Sequence, residues 1–218
     1  PRGYHSGYYE EIAWILAQLR ARHPGPVIAA GVSLGGNALL RWAAEAGSEA
    51  SSHVKAVAAI CSPLDLAAGG HAIGRGFNRQ IYTRMFLRTM IPKALRKWEQ
   101  HPGLFDRDAL LAARDLYAFD NVFTAPVHGF RNTEDYWHRA SSKPLLSHIR
   151  VPALVVNALN DPFVPASSLP RAGEVGPCVT LWQPRHGGHV GFAQGPWPGH
   201  VRAMPDAVSA WLTAQLPG

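Results

Sequence analysis

The spacing of apolar positions changes several times along the chain, and each change marks an element. Between Tyr8 and Arg22, Ile12, Ile15, Leu16 and Leu19 fall at i, i+3, i+4 and i+7, the stripe of an amphipathic helix. Glu10 and Glu11 at its start and Arg20 and Arg22 at its end complement the helix dipole, and His23-Pro24-Gly25-Pro26 stops it. Val27 to Val32 is an unbroken apolar run of strand length. From Asn37 to Ala46 the helical spacing returns, with Ala38, Leu39, Trp42, Ala43 and Ala46 on one face and Gly47 at the end. Val54 to Cys61 is again continuously apolar, as expected of an internal parallel strand covered on both faces. Strand, helix, strand at this spacing predicts a βαβ unit and an α/β fold.

From Leu66 to about Ser142 the strand pattern disappears. Helix-like stretches rich in aromatics take its place, among them Phe77, Tyr82, Phe86, Trp98, Phe105, Phe119 and Trp137. An insertion of this length between sheet strands predicts a helical cap over a site, with an apolar pocket. Strands resume at Ala153–Asn157 and Val179–Trp182, and a helix is predicted from about Pro205 to Gln215. The expected organisation is one α/β domain over 1–218 with a cap insertion at about 66–142.

Composition changes this picture little. A chain of 218 residues, 47% hydrophobic and 17% charged, can bury a sizeable core, and no apolar run is long enough to span a bilayer. The start, Pro1-Arg2-Gly3, lacks an initiator Met and reads as cut from a longer protein. Cys61 and Cys178 form no disulfide framework; both are expected to be core thiols in a reducing, cytoplasmic setting.

The net charge of +6 favours anionic partners, yet no nucleic-acid-binding motif is present and no nucleic-acid partner is expected. Between Asp65 and Glu99 there is no acid, while Arg75, Arg79, Arg84, Arg88, Lys93, Arg96 and Lys97 interleave with Ile81, Tyr82, Met85, Phe86, Met90 and Ile91. The favoured reading is a cap helix with its apolar face on the core and its arginines in water. The same pattern suits peripheral contact with a lipid surface or an anionic head group.

Chemistry enters at Gly31-Val32-Ser33-Leu34-Gly35-Gly36-Asn37. A strand that ends in Gly-x-Ser-x-Gly and runs into a helix is the layout of a nucleophile elbow, which thrusts the serine above the sheet. Gly31 and Gly35 are expected to be the positions where a side chain would collide with the neighbouring strand or helix. The N–H of Leu34, at the helix start, is placed to receive an oxyanion. A serine hydroxyl needs a base, and the base needs an orienting carboxylate. The order serine, acid, histidine is met by Ser33, Asp161 and His189, each in a loop after a strand. Asp65 is the rival acid, read instead as a residue at the entry to the cap or at the start of a helix. His186 competes with His189 and is expected either to support the site from outside the triad or to lie at the surface. His5 is expected to be a surface or packing residue. No His, Cys, Asp or Glu cluster has metal-ligand spacing, and no phosphate loop is found.

The elbow, Asn157-Ala158-Leu159-Asn160-Asp161-Pro162-Phe163 and Arg185-His186-Gly187-Gly188-His189-Val190-Gly191-Phe192 together resemble the YheT-like branch of the α/β hydrolases. Tyr4-His5-Ser6-Gly7, His128-Gly129-Phe130 and Asp135-Tyr136-Trp137 extend that resemblance over nearly the whole chain. The resemblance implies an α/β-hydrolase fold, a mostly parallel sheet flanked by helices with an inserted helical cap. It also implies esterase-type acyl chemistry without a cofactor, and the triad Ser33, Asp161 and His189. Members of the branch include medium-chain acyl esterases and alcohol acyltransferases of yeast, and animal proteins acting on acylglycerols and phospholipids. The expected function is therefore a serine hydrolase of short- to medium-chain or lipid-like esters. An alcohol acyltransferase and a non-catalytic lipid-binding module are the alternatives. The family carries several strands before the elbow and a loop that supplies a second oxyanion donor. Only residues 1–32 precede Ser33 here, so the first strands and that loop are expected to be missing, leaving Leu34 as the donor.

Overall fold

The computed structural model describes residues 5–216. Tyr4 of the opening motif lies outside the described residues, as does Pro1-Arg2-Gly3. Four strands form one parallel sheet in the order β1 (Ile28–Val32), β2 (Ala56–Ile60), β3 (Ala153–Val156) and β4 (Val179–Trp182). The register aligns Val32, Ile60, Val156 and Trp182 at the carboxyl ends of the strands. β2 and β3 are buried along their whole length, which explains why their sequences are apolar without alternation.

The pleat sorts those residues into two cores. Val57, Ala59, Ala153 and Val155 pack on α1 (Tyr9–Arg22) and α2 (Leu34–Ala46) through Leu16, Leu39, Leu40, Trp42 and Ala43. Ala56, Ala58, Ile60, Leu154 and Val156 pack on α3 (Ala203–Thr213) through Met204, Val208 and Leu212. Helices thus cover both faces of a parallel sheet, the layered α/β arrangement expected from the strand–helix–strand pattern.

The chain divides into two compact units. One holds Ser6–Asp65 and residues 140 onward, and so contains the sheet. The other holds His5 and Leu66–Arg139 and is helical among the described residues. Its core gathers Leu87, Phe105, Leu110 and Phe119, and Phe123 packs edge-on against Phe105. Asp106 and Asp115 cap two of its short helices, accepting from the N–H groups of Ala109 and Ala118. His5 packs edge-to-face on His128, Phe130 and Tyr136, a packing role. No described helix is long and apolar enough to cross a membrane.

Candidate active site

β1 ends at Val32 and α2 begins at Leu34, so Ser33 alone makes the turn. It does so at φ 52° and ψ −124°, a strained conformation for a residue with a Cβ. Its N–H still belongs to the sheet, donating to the Ile60 carbonyl at 2.8 Å, while its side chain makes no capping bond. The ladder continues beyond the strand ends: Cys61 N–H donates to Val156 and Asn157 N–H to Trp182. Ser33, Cys61 and Asn157 therefore stand side by side along the carboxyl edge.

The glycines of the elbow differ from the expectation. A Cβ on Gly31 would lie 2.5 Å from the Gly35 carbonyl oxygen, as tight as the motif implies. At Gly35 a Cβ would meet nothing within 4 Å. The second crowded position is Gly36, where a Cβ would fall on the Ser62 hydroxyl and 2.8 Å from the Gly31 carbonyl oxygen. Gly36 faces back onto the sheet from the first turn of α2, whereas Gly35 points away. One residue on from Gly36, buried Asn37 donates to the carbonyls of Ser6 and Ala140 and accepts from Ser142 N–H at 2.9 Å. That side chain ties the helix behind the elbow to two distant segments, a role the sequence alone did not reveal.

Asp161 and His189 come from the loops after β3 and β4. His189 Nδ1 lies 2.9 Å from Asp161 Oδ2, and the carboxylate is buried. The other oxygen, Oδ1, accepts from the N–H groups of Phe163 at 2.8 Å and Val164 at 3.3 Å. Both carboxylate oxygens are therefore engaged, and the ring cannot turn without losing its partner. With Nδ1 donating to Asp161, Nε2 is left as the basic nitrogen. Phe163 packs against the imidazole at 4.6 Å between ring centres.

The histidine loop is held at two further points. Asn160 Oδ1 accepts from the N–H groups of both Gly187 and Gly188 at 2.9 Å. Cys61 Sγ accepts from Val190 N–H at 3.3 Å and faces the Gly188 carbonyl oxygen at 3.9 Å, so it touches the residues on both sides of His189. Burial pushes the Cys61 thiol up to about 11, which keeps it protonated at neutral pH. Cys61 is the core thiol expected, fully buried, and it also stands beyond the end of β2 at φ 50°, against the histidine loop. Cys178 is half-buried just before β4 rather than in the core.

Ligand atoms of Cys61, Asp161 and His189 lie within 4.8 Å of one another, a trio that could hold a metal ion. The spacing along the chain gave no sign of it. Two of its members already bond each other, and a metal would have to displace that bond and deprotonate the raised thiol. His186 is exposed, and Asp65 directly precedes the helix Leu66–Ile73. Neither forms part of the described carboxylate–imidazole pair.

A sheet whose elbow serine, acid loop and histidine loop share one edge defines a class, and comparison agrees with it. The family model described as "alpha/beta hydrolase fold" matches residues 1–196, and the chain belongs to that family. Among curated proteins it is similar to "Putative esterase YheT" of Escherichia coli (strain K12), 33% identical over 218 residues, covering 99% of this chain and 63% of that one. It is also similar to "Phospholipase ABHD3" of Mus musculus, 30% identical over 222 residues, covering 99% of this chain and 53% of that one. The chain thus spans 53% to 63% of the length of these relatives. Among solved structures, a monoacylglycerol lipase of Paleococcus ferrophilus superposes with a TM-score of 0.53 at 17% identity, over 95% of this chain and 74% of that one. At that identity the likeness speaks for the fold.

Proposed function

We propose that the protein is a serine hydrolase of carboxylic esters, with Ser33 as nucleophile, His189 as general base and acid, and Asp161 as the group that orients the imidazole. The observation that carries this reading is the Asp161–His189 pair, doubly pinned at its carboxylate, on the sheet edge that also ends in the strained Ser33 turn. His189 Nε2 takes the Ser33 hydroxyl proton as Oγ bonds to the acyl carbon. The carbonyl electron pair moves onto oxygen, where the Leu34 N–H at the start of α2 is placed to receive it. Collapse breaks the ester C–O bond, and His189 returns the proton to the departing alcohol. Water then attacks the acyl-enzyme with His189 again as base, releasing the acid and regenerating the Ser33 hydroxyl.

The names of the relatives, an esterase and a phospholipase, support acyl esters as the substrate class, and short- to medium-chain or lipid-like esters as the range to test. Release of the acyl group to an alcohol instead of water would use the same groups. The test is labelling of the intact protein by a fluorophosphonate, with turnover of nitrophenyl esters of increasing chain length. Ser33→Ala is expected to abolish labelling and to lower turnover about 10⁴-fold or more. Equal labelling of the two proteins would overturn the assignment.

A further inference from the structure

The helical unit carries a cleft of about 730 Å³ with no part in the proposed chemistry. Its floor is apolar, formed by Leu87, Ile91 and Ala113, and its rim carries Arg79, Arg84, Arg88 and Arg114. Arg114 gives one nitrogen to the carbonyls of Leu111 and Ala113. Among the described residues, Arg79, Arg84 and Arg88 have no side-chain hydrogen bond or ion pair. Their guanidinium groups are left free to bind phosphate oxygens in a bidentate fashion.

Charge is distributed in the same sense. Residues 66–98 hold seven of the 21 cations and none of the 15 acids, so the rest of the chain has 14 cations against 15 acids. The positive character of the protein is confined to this stretch. The apolar residues that interleave with the arginines do not all face the core, as the favoured reading required. Leu87 is buried, but Phe77, Ile81 and Met85 are 72%, 45% and 50% exposed. At spacings of four they form one stripe beside Arg84 and Arg88 on the run from Gly76 into the helix Arg84–Gln100. An exposed apolar stripe flanked by unpaired arginines is the arrangement of a helix that lies in a lipid–water interface.

We infer that this face is a docking surface for anionic lipid bilayers, with Phe77, Ile81 and Met85 entering the acyl boundary and Arg79, Arg84 and Arg88 on lipid phosphates. The surface commits to a bilayer rather than a soluble anion because a free phosphate would make no use of the exposed stripe. This inference does not depend on the ester chemistry.

The test is co-sedimentation of the intact protein with phosphatidylcholine vesicles, either pure or containing roughly a third phosphatidylglycerol. Binding is expected only to the anionic vesicles and is expected to fall steeply with added salt. Near such a surface each arginine contributes about fivefold in affinity, so Arg84→Gln/Arg88→Gln should bind about 25-fold more weakly. Phe77→Ser should weaken binding at every salt concentration, and Lys55→Gln, in the other unit, should leave it unchanged. Circular dichroism and thermal melting of each variant separate lost docking from lost folding. Equal binding to neutral vesicles, displacement by millimolar inorganic phosphate, or undiminished binding by the folded double arginine variant would each overturn the inference.

Discussion

Substituting the elbow glycines one at a time separates what the motif implies from what the packing requires. Gly35 and Gly36 both lie in the first turn of α2, and alanine at either gains up to about 1 kcal/mol of helix propensity. At Gly35 nothing stands within 4 Å of the new methyl, so Gly35→Ala should keep that gain and melt at or above the wild-type temperature. At Gly36 the methyl would occupy the space of the Ser62 hydroxyl, lie 2.8 Å from the Gly31 carbonyl oxygen and 3.1 Å from Ala59 Cβ. Overpacking of this kind costs about 1–3 kcal/mol, so Gly36→Ala should lose a net ~1–2 kcal/mol. For a chain of this size that lowers the melting temperature by about 2–8 °C. Part of the loss comes from a movable side chain and part from backbone. Adding Ser62→Ala should therefore restore some stability to Gly36→Ala, but not all of it. Thermal and urea unfolding of the four proteins, followed by tryptophan fluorescence, provides the measurement. If Gly35→Ala proves the more damaging, or Ser62→Ala gives no relief, the packing argument fails.

Two further outcomes follow from particular contacts. Asn160→Ala should lower the melting temperature by about 2–12 °C, at about 2–4 °C per kcal/mol for a chain of this size. It removes both bonds that hold Gly187 and Gly188, worth about 1–3 kcal/mol in loop placement, and ester turnover should drop roughly 5- to 100-fold, chiefly in kcat. Asp120 accepts from Trp137 Nε1 and the Thr124 hydroxyl, yet burial pushes its carboxyl up to about 6. The folded protein therefore binds this proton more tightly than the unfolded chain, and its contribution to stability falls as pH rises from about 4 to about 6. Above that window the charged form costs up to about 3 kcal/mol, so Asp120→Asn should stabilise the protein at pH 7.5 and not at pH 4 in urea unfolding.

How much could be read in advance follows from where each signal lies. β2 and β3 were legible because strands buried on both faces must be apolar throughout. The elbow was legible because its conformation restricts the residue types on either side of Ser33. Asp161 and His189 could be nominated by their order along the chain, but their 2.9 Å contact is tertiary and exists only in the folded loops. Gly36 escaped notice because its crowding comes from Ser62 and Ala59, which are on or beside another strand. Asn160 and Cys61 escaped for the same reason: each acts on the histidine loop from a distant part of the chain. The exposed stripe of Phe77, Ile81 and Met85 was hidden because periodicity gives the angle between side chains, not the side that faces a core.

Backbone strain offers a way to separate a catalytic turn from an ordinary one. Among the described residues, those other than glycine with positive φ are Ser33, Cys61, Val190 and Phe192, and all four belong to the elbow, the residue beside it or the histidine loop. Each such position costs on the order of 1–3 kcal/mol and persists only where the surroundings fix it. Here they do so through the Ser33 N–H to Ile60, the Phe192 N–H to Gly187 and the Val190 N–H to Cys61. The two ends of α2 make the comparison within one helix. Ser33 precedes it at φ 52° and ψ −124°, and Gly47 follows it at φ 52° and ψ −123°. The same conformation is filled by glycine where the chain needs only to turn. At Ser33 a side chain is held there against the strain, and its hydroxyl makes no capping bond that would account for it. Strain held at a residue with a side chain, where glycine would do for a turn alone, is what the proposed role of Ser33 would require.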